Sequence, residues 1–180
     1  MKYHKYYPVD LVNGPGLRST LFVSGCIHAC EGCYNEVTWN PKSGSEFTQE
    51  LEDRIIADLL STEVNRQGLS LSGGDPLHPN NLIPIFNLIA RVREECPDKD
   101  IWLWTGFTLK EIEDGVYGDV INPTKKSNLM GLRLSILGMV NVFIDGKFVK
   151  ELADPRLRYR GSSNQKVWKN TDGVFTEVIL

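Results

Sequence analysis

The sequence holds no apolar run near the ~20 residues that cross a bilayer, and its only run of consecutive basic residues is the pair Lys125-Lys126. A net charge of −3 likewise lacks the electrostatic footprint of nucleic-acid binding. Met1-Lys2-Tyr3-His4 offers no apolar core for a secretory leader. The expectation is a soluble cytoplasmic protein with neither a membrane nor a nucleic acid as its partner. Cysteine is scarce, four in 180 residues, too few for a disulfide scaffold. At 180 residues the chain falls short of the about 250 of a complete (β/α)8 barrel. Its hydrophobic content, 41%, suffices for the core of one domain over residues 1–180.

What is present is concentrated in Ser24-Gly25-Cys26-Ile27-His28-Ala29-Cys30-Glu31-Gly32-Cys33-Tyr34-Asn35. Cysteines at CxxxCxxC spacing turn their sulfurs toward one small volume if the backbone wraps around it, and Gly25 and Gly32 permit the tight turns needed. A structural zinc site is closed by four protein ligands, and an electron-transfer cluster usually by four cysteines. This loop supplies three. Cys96 lies before Pro97, away from any second motif, and reads as a helix-end residue. A [4Fe–4S] cubane held by three thiolates keeps one iron open, as catalytic metal sites do. His28 as a fourth ligand would make a Cys3His zinc module. Without other zinc-finger spacing it reads as a solvated loop histidine.

CxxxCxxC followed directly by an aromatic resembles the signature of the radical S-adenosylmethionine (SAM) superfamily. Val12-Asn13-Gly14-Pro15-Gly16, Ser70-Leu71-Ser72-Gly73-Gly74-Asp75-Pro76, Trp104-Thr105-Gly106, Asp145-Gly146-Lys147-Phe148 and Arg160-Gly161-Ser162-Ser163-Asn164-Gln165 extend the likeness. In this order the motifs resemble the glycyl-radical-enzyme activases, in particular those of anaerobic ribonucleoside-triphosphate reductases, over about residues 1–166. The resemblance implies one [4Fe–4S] cluster on Cys26, Cys30 and Cys33, and SAM bound by Gly32, Cys33, Tyr34, Gly73, Gly74, Asp75, Asp145 and Lys147. It implies an oxidoreductase: SAM is cleaved reductively to methionine and a 5′-deoxyadenosyl radical, which takes hydrogen from a backbone glycine of the reductase. No side chain is needed as general acid or base. An external reductant such as a flavodoxin follows, because the cysteine-rich insert of some activases is missing. The alternatives are the activase of another glycyl-radical enzyme, the zinc module, and a simple electron carrier.

Strand and helix patterns alternate, so the expected class is α/β. The resemblance shapes this into an open partial (β/α) barrel with a mostly parallel sheet of about five or six strands. Strands are expected at 6–12, 17–23, 69–72, 101–105 and 139–144. Helices are expected over 48–66, with Leu51, Ile55, Ile56, Leu59 and Leu60 on one face, and over 80–95, with Leu82, Ile85, Phe86 and Ile89. Thr108 and Glu111 form a capping box, with Phe107 and Ile112 as its staple. Trp104 and Thr105 read equally as strand-end core and as cofactor contacts. Asp145-Gly146 is also a hairpin signal. Residues 115–135, with three glycines, Pro123 and Lys125-Lys126, depart from the family and read as a surface insertion. Residues 167–180 form a tail with a strand-like end.

Overall fold

In the computed structural model, which describes residues 1–115 and 123–179, the chain begins with β1 (Lys2–Asp10), β2 (Arg18–Val23) and β3 (Ser45–Glu46). It continues through α1 (Gln49–Leu60), β4 (Gly68–Gly73), α2 (Leu82–Glu95), β5 (Asp100–Trp104), α3 (Leu109–Glu113) and α4 (Pro123–Met139). It ends with β6 (Val142–Asp145), β7 (Lys166–Thr171) and β8 (Val174–Val178). Short 3-10 turns occupy Glu36–Thr38 and Lys150–Leu152. Among the described residues, no helix is long and apolar enough to cross a membrane.

The eight strands described form one sheet in the order β3-β1-β2-β4-β5-β6-β7-β8. Three pairings, β2–β4, β4–β5 and β5–β6, are parallel. The other four, β1–β2, β1–β3, β6–β7 and β7–β8, are antiparallel. This corrects the expected open partial (β/α) barrel with a mostly parallel sheet of five or six strands. The sheet is mixed, and antiparallel pairings outnumber parallel ones. The reason lies in the connections. A parallel step needs a crossover of a dozen or more residues, which the helical connections between β2 and β4, β4 and β5, and β5 and β6 supply, whereas the segment after β6, without an α-helix, brings the chain back antiparallel as β7. Residues 11–17 turn β1 straight back into β2. At the other end Asp172 and Gly173 both take positive φ (53° and 84°), the backbone of a two-residue hairpin turn, and so join β7 to β8.

The core forms where helical and strand periodicities meet. Ile55, Ile56 and Leu59 of α1, and Leu82, Ile85, Leu88, Ile89 and Val92 of α2, pack with alternate strand residues Leu21, Val23, Leu69, Leu71, Ile101 and Leu103. The intervening strand positions point to the other face, where Trp102, Ile144 and Val167 form a smaller cluster. Helix α1 stops at Leu60, short of residue 66. The Arg66 side chain turns back there to donate to the carbonyls of Asp58 (2.6 Å) and Pro8 (2.5 Å). The capping box at Thr108 and Glu111 is present. Asp145-Gly146 makes no two-residue hairpin, because β6 pairs with β7 only after the excursion through 146–165, Asp145 opposite Lys166. Of the segment 115–135, residues 116–122 lie outside the described residues. Residues 123–135 belong to α4, whose Arg133, Ile136 and Leu137 are buried.

Arg18 at the start of β2 is fully buried. Its guanidinium pairs with Asp100 at 2.6 Å and donates to Ser70 Oγ (2.8 Å) and the Leu69 carbonyl (3.0 Å). It thereby ties the first strands of the parallel set together at their N-terminal ends and leaves the C-terminal ends to the loops.

Candidate functional site

Strand β2 runs directly into the cysteine loop. The loop is closed at its base by two backbone bonds, Gly25 N–H to the Thr38 carbonyl (2.7 Å) and Cys26 N–H to the Trp39 carbonyl (3.0 Å). Cys33 N–H returns to the Cys30 carbonyl at 3.1 Å. Gly25 and Gly32 take φ of 102° and 74°, the left-handed region that glycine enters without a Cβ penalty. Ala29 also enters it, at φ 45°, a conformation that non-glycine residues hold only when their surroundings enforce it. The result is a tight wrap with Cys26, Cys30 and Cys33 all on one cavity of about 150 Å³.

That cavity gathers four separated segments. The loop contributes the cysteines and His28, the end of β4 contributes Ser72-Gly73-Gly74, the end of β5 contributes Trp104-Thr105-Gly106, and the segment after β6 contributes Gly146-Lys147-Phe148. A larger cavity of about 540 Å³ adjoins it. This one shares Cys33, Asn35, Ser72, Trp104, Phe148 and Gln165, and adds Asn13, Phe22, Tyr34 and Arg160. Its size lies in the range of small-molecule sites. Phe22, Ser72 and Trp104 are floor residues on β2, β4 and β5, with Phe22 opposite Ser72 in register.

Of the residues expected to touch a cofactor, Cys33, Tyr34, Gly73, Gly74 and Lys147 line these cavities. Gly32, Asp75 and Asp145 do not. Gly32 packs under Phe148 and Lys150. The carboxylate of Asp145 accepts from Leu109 N–H at the start of α3 (2.7 Å) and from Lys166 N–H (3.3 Å). Burial raises its pKa, and the Leu109 bond opposes the rise. Asp75 is fully buried and its oxygens are occupied. One accepts from Leu77 N–H (2.8 Å); the other faces Thr105 Oγ (3.0 Å), Gly106 N–H (3.1 Å) and His28 Nε2 (2.7 Å). The glycine pair before it is required by the backbone as well. A Cβ on Gly74 would stand 2.5 Å from the Gly25 carbonyl oxygen, and one on Gly73 2.7 Å from Val23 N.

His28 was legible only as a loop histidine. In the structure its side chain is nearly sealed from solvent, 5% exposed, and bonded to Asp75. A His in a three-cysteine loop and an Asp across the sheet were the only available signals, and neither names the other. Cys96 caps the end of α2 and borders a different cavity with Leu59, Asn65 and Lys99.

Three cysteine thiols on one cavity are the donor type that iron–sulfur clusters take. Among the described residues, no group of three or more His, Cys, Asp or Glu side chains is arranged to hold a metal ion. Burial, followed by the nearby Asp75 carboxylate, pushes the Cys26 thiol up to about 12. Burial also raises Cys30. The free thiols of Cys26 and Cys30 therefore hold their protons, and a metal must displace them. Backbone N–H groups favour the thiolates in compensation: Asn35 N–H donates to Cys33 Sγ at 3.3 Å, those of His28 and Ala29 face Cys26, and that of Phe148 faces Cys30. Hydrogen bonds to cluster sulfurs are one determinant of reduction potential.

Comparison with known proteins agrees with this donor set. The model of the 4Fe–4S single cluster domain family matches residues 12–168. An anaerobic ribonucleoside-triphosphate reductase-activating protein of Vibrio cholerae is 53% identical over 171 residues, 95% of this chain and 99% of its own. That of Escherichia coli strain K12 is 53% identical over 167 residues, 93% of this chain and 97% of its own. The protein of the same name from Enterobacteria phage T4 is 44% identical over 175 residues, 97% and 98% of the two chains. Likeness of this extent and coverage means that the chain belongs to the 4Fe–4S single cluster domain family and, within it, to the anaerobic ribonucleoside-triphosphate reductase-activating proteins.

Proposed function

We propose that the chain activates an anaerobic ribonucleoside-triphosphate reductase by forming a glycyl radical on it, through reductive cleavage of SAM. The observation that carries this reading is the three-thiol cavity walled in part by Gly73 and Gly74 and adjoining a second cavity of small-molecule size. Cys26, Cys30 and Cys33 would hold a [4Fe–4S] cluster. When bound, that cluster would supply one electron of low potential and an open coordination position, the chemistry that reductive cleavage of SAM requires. The protein's own contribution is orientation and exclusion of water. Gly73 and Gly74 bring backbone to the cavity wall, Tyr34 offers an aromatic face at its rim, and Lys147 adds a cationic group suited to a carboxylate. Asp75 and Asp145 act from behind the wall by fixing backbone, since their oxygens are already bonded. The electron comes from an external donor such as a flavodoxin, and the thiols call for the reducing cytoplasm.

The test is anaerobic reconstitution followed by incubation with SAM, a reductant and the candidate reductase. The expected result is 5′-deoxyadenosine together with a glycyl signal in electron paramagnetic resonance. Cleavage without that signal, but with one on another glycyl-radical enzyme, would move the assignment to that enzyme. A colourless protein that binds zinc and leaves SAM intact would overturn the reading.

A further inference from the structure

We propose that His28 is a positioning residue, the latch by which the cysteine loop is locked to the ends of β4 and β5, so that the placement of Cys26 and Cys30 depends on its bond to Asp75. The inference rests on the reading of that loop as a cluster site.

The loop's attachment is lopsided. Its base is tied by backbone bonds at Gly25 and Cys26, and Asp75 N–H adds a third by donating to the Gly25 carbonyl at 2.7 Å. Beyond Cys26 the loop turns outward, with Ile27 and Ala29 exposed. Between those two, His28 alone turns inward. Its Nε2 lies 2.7 Å from Asp75 Oδ2, and its ring meets Phe107 edge-on at 4.5 Å between centroids. The receiving surface is shaped for an imidazole. Gly106 presses so closely that a Cβ there would fall 2.2 Å from His28 Cδ2. The same carboxylate oxygen also takes Thr105 Oγ and Gly106 N–H, so one buried anion organises both the ring and the strand end beside it.

The location of the latch gives it a second effect. His28 lies two residues from each of the first two cysteines, and its own backbone N–H faces Cys26. Freeing the ring therefore loosens the donors that favour the Cys26 thiolate as well as the loop path. Partners of this outer kind typically change metal affinity by about 10–100-fold when removed.

The experiment compares the wild-type chain with His28→Ala, His28→Gln and Gly106→Ala. A glutamine amide reaches about as far as Nε2 and keeps a donor for Asp75. Gly106→Ala keeps the histidine but fills its seat. Three readouts are taken: the rate at which a ferrous chelator strips the reconstituted protein, the paramagnetic spectrum of the reduced cluster, and the alkylation rate of Cys26 and Cys30 in the iron-free chain. Expected are chelator release and alkylation at least about 10-fold faster in His28→Ala and Gly106→Ala, a shifted spectrum in both, and recovery of all three in His28→Gln. Rates within twofold of wild type in His28→Ala overturn the proposal, as does equal damage in His28→Gln. Should His28→Ala fail to fold, Gly106→Ala decides alone: wild-type rates there refute the latch. A wild-type chain that takes up no cluster would instead sink the functional reading, and the alkylation rates would still decide whether His28 holds the loop.

Discussion

Gly74→Ala tests whether the glycine pair at the end of β4 exists for the protein's own backbone. The added methyl would lie 2.5 Å from the Gly25 carbonyl oxygen, 2.9 Å from its carbon and 3.1 Å from its nitrogen. All three are backbone atoms at the base of the cysteine loop, so no flexible side chain is available to give way. Overpacking of this sort costs about 1–3 kcal/mol. The shift also stretches the 2.7 Å bond from Asp75 N–H to the Gly25 carbonyl, worth about 0.5–1.5 kcal/mol net. A loss of about 3 kcal/mol follows, a large share of the 5–15 typical of a domain. For a chain of this size it lowers the melting temperature by about 6–12 °C. The assay is anaerobic urea unfolding of the iron-free chain followed by circular dichroism, with iron content after reconstitution as a second measure. Gly161→Ala is the control, because its Cβ would press on the Phe148 ring at 3.0 Å, a side chain that can turn aside, and otherwise meet Gln165 Oε1 at an ordinary contact distance of 3.7 Å. A Gly74→Ala loss below about 0.5 kcal/mol, no larger than an ordinary surface change, would refute the close-approach argument.

Other expectations can be checked with the same preparations. Replacing Cys26, Cys30 or Cys33 by Ala should abolish uptake of a four-iron cluster, whereas Cys96→Ala should retain it, as read by iron and sulfide analysis. In α4, Gly131 has open space where a Cβ would stand, so Gly131→Ala should stabilise the chain by about 0.5–1 kcal/mol in urea unfolding. Burial holds the His78 pKa below its ordinary 6.5, and the ring accepts from Asn80 N–H. The neutral ring is the folded form, so its contribution is complete above about pH 6.5 and drains away as the pH falls through the lowered value. The urea midpoint should decline between pH 7.5 and 5.5, less steeply in His78→Gln.

The sequence carried local information well and directional information poorly. Helices α1 and α2 were legible because Ile55, Ile56 and Leu59, and Leu82, Ile85 and Ile89, recur at helical spacing. The capping box at Thr108 and Glu111 needed only four residues to be recognised. The direction of the strands was not legible, since a strand's composition is nearly the same whichever way its neighbour runs. The connections decide it, and the Asp172-Gly173 turn that reverses β7 into β8 went unweighed while Asp145-Gly146, the same dipeptide, leads into a long excursion. At the site, the three cysteines and the glycine pair were evident from spacing. The tasks of Asp75, Asp145 and His28 were not, because each depends on a partner 36–47 residues away in the chain.

The helices and alternate strand residues share one core, and the cavity floor of Phe22, Ser72 and Trp104 occupies the intervening positions. Among the described residues, that second side of the sheet is bordered by loops and turns. An extended polymer laid there would meet loops instead of packed helices. The scaffold that sustains stability thus lies on the side of the sheet away from the thiol-lined recess.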